Sequence, residues 1–159
     1  VGRAYITGAE LEGRHHFLDS KVELNYNLAY NYGHDITNNK PIAYIAPIYG
    51  NAILKFNFDK VYITVMERFY GAKTRIDPQD SNPEGKTAAY AMTDMYVGVK
   101  LGEFKSTLKD MELIFGISNV FNTIGRNPVT GMNANYALSV TNPLVEPGRN
   151  FTLKYVWKY

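Results

Sequence analysis

The sequence predicts an all-β, antiparallel chain that forms part of the wall of a transmembrane β-barrel, and three observations predict it. Apolar and polar side chains alternate with period two through seven stretches, while capped segments of helical period are hard to find. The connections between those stretches alternate short and long. No stretch approaches about 18 consecutive apolar residues, so if a membrane is crossed it is crossed by strands, whose backbone groups only neighbouring strands can satisfy.

The first predicted strand is Ala4 to Gly13, with Glu10 and Glu12 on its wet face. The second, Lys21 to Gly33, alternates most clearly. Val22, Leu24, Tyr26, Leu28, Tyr30 and Tyr32 face one way; Lys21, Glu23, Asn25, Asn27 and Asn31 face the other. That polar set is too large for a packed soluble core and suits a water-filled lumen. Gly50 to Phe58 follows with Lys55 on the wet face, then Lys60 to Gly71. Ala91 to Leu101 places Asp94 and Lys100 on the wet face, and Asp110 to Phe121 places Glu112 there. The last strand, Gly148 to Tyr159, sets Phe151, Leu153, Tyr155, Trp157 and Tyr159 on one side. Asn150, Thr152, Lys154 and Lys158 share the other side with Val156. A soluble core favours branched aliphatics; rings with polar tips suit a membrane–water interface.

Short connections are expected at Arg14 to Ser20, at Asp59 and at Gly102 to Lys109. Long ones are expected at His34 to Tyr49, Ala72 to Tyr90 and Asn122 to Pro147, with turn chemistry at Asn38-Asn39, Asp77-Pro78, Asn82-Pro83-Glu84-Gly85, Asn127-Pro128 and Pro147-Gly148. Short turns on the periplasmic side and long loops outside the cell is the arrangement of outer-membrane barrels. Seven is an odd total, whereas single-chain bacterial barrels have even strand numbers, so the chain is expected to be the C-terminal part of a larger barrel. The N-terminal VGRAYITGAE has no apolar core of a signal peptide, so export requires either a removed leader or a longer parent chain.

Composition narrows the function. The net charge is +2 with cations and anions interspersed, so neither a nucleic-acid stripe nor a polybasic membrane patch is indicated. Cysteine is absent, which excludes disulfides, thiol catalysis and cysteine metal sites. No phosphate-binding glycine loop, zinc-helix pair or nucleophile elbow occurs, and Glu10 and Glu12 share a face without a cleft, so no enzyme and no catalytic residue is expected. Thirteen tyrosines and eight phenylalanines against one tryptophan, with 45% hydrophobic residues and slightly negative mean hydropathy, suit strands apolar on one face only.

Four segments carry a resemblance to a known family. EPGRNFTLKYVWKY (Glu146 to Tyr159) resembles the terminal strand of TonB-dependent outer-membrane transporters, entered through Pro147, Gly148 and Arg149. GISNVFN (Gly116 to Asn122), with Asn119 and Phe121, resembles that family's penultimate-strand box, although here Thr123-Ile124-Gly125 follows in place of a further aromatic. GAELEG (Gly8 to Gly13) and KPIAYIAPIYGNAILKF (Lys40 to Phe56) resemble, in the family's order, the strand before a periplasmic turn and a Pro-rich loop re-entering the sheet. The resemblance implies a barrel of roughly 22 strands with a plugged lumen, to which this chain contributes the last seven strands. It further implies location in the outer membrane of a Gram-negative bacterium and uptake of a scarce nutrient. A ferric siderophore is expected first, with haem or copper also open. The implied partners are outer-membrane lipid, the barrel assembly machinery, a small-molecule metal chelate and TonB, the last acting through an N-terminal plug outside these residues. No resident cofactor is implied.

Phe151, Tyr155, Trp157 and Tyr159 then read both as an assembly signal and as interface anchors. His15 and His16 read as a surface turn rather than a metal pair. Candidates for ligand contact from the long loops are His34, Arg75, Arg126 and Met132; His34 with Asp35 alone is too few groups for a metal site. Met66, Met92, Met95 and Met111 read as lipid-facing or packing residues, which leaves Met132 as the one loop thioether suited to a soft metal. The long loops carry balanced charge, which predicts little steering of an anionic ligand. Two rival readings follow: a complete small eight-stranded barrel with a structural role, and a soluble sandwich or lipocalin-like binding module that buries Tyr155, Trp157 and Tyr159.

Overall fold

The structure, a computed structural model, describes residues 2–46, 48–77, 85–129 and 145–158. Alternation along the chain becomes a single antiparallel sheet made of β1 (Ala4–Phe17), β2 (Val22–Asp35), β3 (Lys40–Pro41), β4 (Ile48–Asn57), β5 (Val61–Tyr70), β6 (Tyr90–Lys100), β7 (Met111–Ser118) and β8 (Asn150–Trp157). The seven long strands lie side by side in chain order, and the two-residue β3 pairs with the end of β2. β1 and β8 form the two edges, and no pairing among the described residues joins them. The sheet is therefore an open wall.

Register sorts side chains onto two faces, because cross-strand partners share a face. On one lie Leu11, Leu28, Leu54, Val65, Val97, Phe115 and Leu153; on the other lie Glu12, Asn27, Asn51, Arg68, Lys100, Glu112 and Lys154. The expected facing of the second and last strands holds over Val22 to Tyr32 and Asn150 to Trp157. Leu153 pairs with Phe115 on the apolar face, and Thr152 pairs with Gly116 on the polar one. Between the faces there is almost no core: Ala29, Ala46 and Met92 are the buried hydrophobic residues among those described. Leu153, by contrast, is 74% exposed. An apolar face of this extent needs lipid or protein against it.

Glycines let aromatic rings lie flat across the strands. Tyr26 covers Gly13, Tyr62 covers Gly98 and Tyr96 covers Gly116, each ring and glycine being register partners. A methyl group at Gly98 would collide with the ring of Tyr62. The glycine is required by packing there, and the ring restores contact that the glycine lacks.

Three expectations are corrected. β1 runs past Gly13 to Phe17, so His15 and His16 are strand residues. No Gly, Pro or Asn interrupts 14–17, and the turn contracts to 18–21, where Leu18, Asp19 and Ser20 have φ of 52°, 53° and 64°. That left-handed turn matches the twist of the strands it joins. His15 stacks on Tyr26 with centroids 5.8 Å apart. β7 stops at Ser118 rather than Phe121, because Asn119 (φ 52°) leaves the ladder. The loop 36–47 holds the short β3, which no alternation announced. Met66 and Met92 lie on the polar inner face, with Met66 opposite Asp94 and Met92 opposite Arg68; Met95 and Met111 lie on the apolar face as expected. Met92 is buried and packs.

Candidate functional site: the inner face under the long loops

The three long connections, 36–47, 71–89 and 119–149, leave the same end of the sheet. Tyr49, Tyr70 and Tyr90 sit at that end of β4, β5 and β6, and register places them in one row on the inner face. Their rings stack, Tyr49 on Tyr70 at 6.1 Å and Tyr70 on Tyr90 at 5.3 Å. Below them come Asn51, Arg68 and Met92, and then Ile53, Met66 and Asp94.

A strap, 122–129, crosses this row. Gly125 lies against the ring of Tyr90, where no Cβ could fit. The Asn127 side-chain amide donates to the Tyr70 hydroxyl at 3.4 Å, and the Tyr90 hydroxyl donates to Glu146 at 3.0 Å. Lys73, only 2% exposed, donates from Nζ to the carbonyl of Pro128 at 3.2 Å. Val129 then reaches a cleft of about 390 Å³. Ile6, Asn31, Tyr49 and Tyr70 of the sheet form its floor, and Tyr44, Ile45 and Ala46 close its side.

The root of the strap is a polar knot around Asn119, 1% exposed. Its backbone N–H donates to Asp94 Oδ1 at 2.7 Å. Its side-chain amide donates to the carbonyls of Thr123 and Pro147 at 2.9 and 3.1 Å, and its Oδ1 accepts from the Thr123 N–H at 2.8 Å. Asn122 Oδ1 accepts from the Arg149 N–H at 3.0 Å, and Arg68 lies 3.6 Å from Asp94. All polar atoms of the Asn119 side chain are thus engaged, which fixes a left-handed residue that only a few side chains tolerate.

The sequence candidates divide accordingly. Asn119, Pro147 and Arg149 belong to the knot; Gly148 adjoins it, with Asn122 Oδ1 3.2 Å from where its Cβ would be. Phe121 points away, 72% exposed. Phe151, Tyr155 and Trp157 stand on the apolar face, all more than half exposed, and Tyr159 lies outside the described residues. His34 falls on the outward register, tilted against Tyr5 at 5.9 Å. Arg75 stacks over Tyr32 at 3.9 Å and donates to the Gly33 carbonyl at 3.4 Å. These two therefore share the outer aromatic rim. Arg126 sits half-buried on the strap, between Gly125 and Asn127. Met132 lies outside the described residues. The tyrosine row was missed because its members are far apart in sequence; each is a Tyr at a strand end, and only register unites them.

Among the described residues, no three His, Cys, Asp or Glu side chains gather as metal ligands.

No protein-family model and no curated protein matches the chain. Among solved structures, the copper transporter OprC superposes with a TM-score of 0.82 and 19% identity, over 98% of this chain and 24% of OprC. The likeness is one of fold. The chain spans about a quarter of OprC's length and has the architecture of a segment of its β-barrel wall.

Proposed function

We propose that this chain is the C-terminal part of the barrel of a TonB-dependent outer-membrane transporter that takes up a scarce nutrient as a metal chelate. The observation that carries the reading is the open wall itself: apolar outside, polar inside, with the strap 122–129 and residues 44–46 folded over the inner face at one end. Its near-complete superposition on part of OprC supports the same reading. OprC's name makes copper a cargo to test beside ferric siderophores and haem. Closure would come from strands beyond β1 and β8, since a strand edge in hydrocarbon leaves backbone groups unsatisfied. The rival small closed barrel needs β1 to pair with β8. The rival soluble module needs buried Tyr155 and Trp157, yet these are 53% and 58% exposed.

Deletion of the gene in its native host, followed by uptake of labelled copper, haem and ferric siderophores with and without TonB, tests the proposal. The expected result is loss of one uptake activity that also requires TonB. Unchanged uptake of all three, or a loss indifferent to TonB, would overturn it.

A further inference from the structure

The inner face carries several clefts, and their linings differ in charge. Those lower on β1, β2 and β4 include Glu10, Glu12 and Arg14. Among the described residues, the cleft beneath the strap, at about 390 Å³, is lined by uncharged side chains: tyrosines, aliphatics and the amide of Asn31. Its volume falls in the range of small-molecule sites. Cations of the surrounding segments are engaged elsewhere: Arg68 by Asp94 at 3.6 Å, Lys73 by the Pro128 carbonyl at 3.2 Å, and Arg75 by the Tyr32 ring and the Gly33 carbonyl. An anion entering this cleft would lose its hydration without a cation among the described lining residues to replace it. A bare metal ion would find no set of three His, Cys, Asp or Glu side chains among the described residues.

A second feature points to the same place. Tyr44 adopts φ 61°, a left-handed conformation costly for a ring-bearing residue, and it lines this cleft. Backbone held in such a state by its surroundings clusters at ligand clamps. Tyr49 and Tyr70 stack along the floor, and with the Asn31 amide they bring donors and acceptors to the lining, the Tyr70 hydroxyl also accepting from Asn127.

We infer that the cleft under the strap binds an uncharged ring-bearing organic moiety, gripped by Tyr44, Tyr49 and Tyr70 and covered by Val129. This rests on the transport reading and narrows it: the part of the cargo seated on this chain is a neutral organic ring, not an anionic group and not the metal. Aromatic contacts supply the attraction and the hydroxyls the orientation.

The test uses the full-length protein in detergent, titrated calorimetrically with 1-naphthol as the neutral probe and 1-naphthalenesulfonate as its anionic counterpart. Naphthol is expected to bind at least about tenfold more tightly than the sulfonate. Val129→Trp, which fills the cleft from a partly exposed position, and Tyr44→Ala, which removes the clamp, should each weaken naphthol about tenfold or more while outer-membrane insertion is retained. Equal affinity for both probes, naphthol binding untouched by both variants, or no naphthol binding by inserted protein would overturn the inference. Uptake measured on the same strains separates the two claims. TonB-dependent uptake without naphthol binding leaves transport standing and removes this site; naphthol binding without such uptake does the reverse.

Discussion

Asn119 shows how one side chain can organise a loop end. It makes three side-chain hydrogen bonds and sits in a left-handed conformation that asparagine tolerates. Asn119→Ala should therefore cost about 2 to 4 kcal/mol in urea unfolding from lipid, given roughly 1 kcal/mol per net hydrogen bond and the added backbone strain. A cost under about 1 kcal/mol would mean that the knot does not hold the strap root. Leu153 and Thr152 are neighbours that test the facing of the sheet. Leu153→Lys should cost roughly 2 to 4 kcal/mol where Leu153 lies near the bilayer midplane, and Thr152→Lys should be nearly neutral; equal costs would refute the assignment. The sequence marked Asn119 only as part of a resembling motif. Its role was hidden because its partners, Asp94 and Pro147, come from distant segments.

Strands were the most legible elements, since alternation needs only local sequence. The last one, Asn150–Trp157, falls inside the expected Gly148 to Tyr159, and β4 to β6 end within two residues of expectation. Turns were less legible. The tract 14–17 contains no breaker, yet its two histidines and arginine read as turn; the ladder continued because β2 offered partners Asn25, Leu24, Glu23 and Val22. The loops were the least legible, because β3 and the strap depend on contacts across the sheet. Ring-over-glycine packing lies between these cases, visible only once register is known. Gly98→Ala should destabilise the wall by about 1 to 3 kcal/mol, as overpacking does, and pairing it with Tyr62→Ala should recover part of that cost. Strictly additive costs in the double variant would show that ring and glycine do not pack as described.

At the scale of the molecule, the polarity of each face and the alternation of short and long connections were readable from the sequence, because both are repeated in every hairpin. What would complete the wall was not, because among the described residues neither β1 nor β8 finds a second partner strand. The open edges at β1 and β8, the near absence of a buried core and the exposed aromatics of β8 all follow if this sheet is one sector of a larger barrel seated in lipid. They make little physical sense for a complete protein in water. The most direct test is the intact mass of the native polypeptide carrying this sequence, purified from outer membranes in detergent. A species several times heavier than 18.0 kDa is expected; a folded, membrane-inserted species of 18.0 kDa would contradict the account.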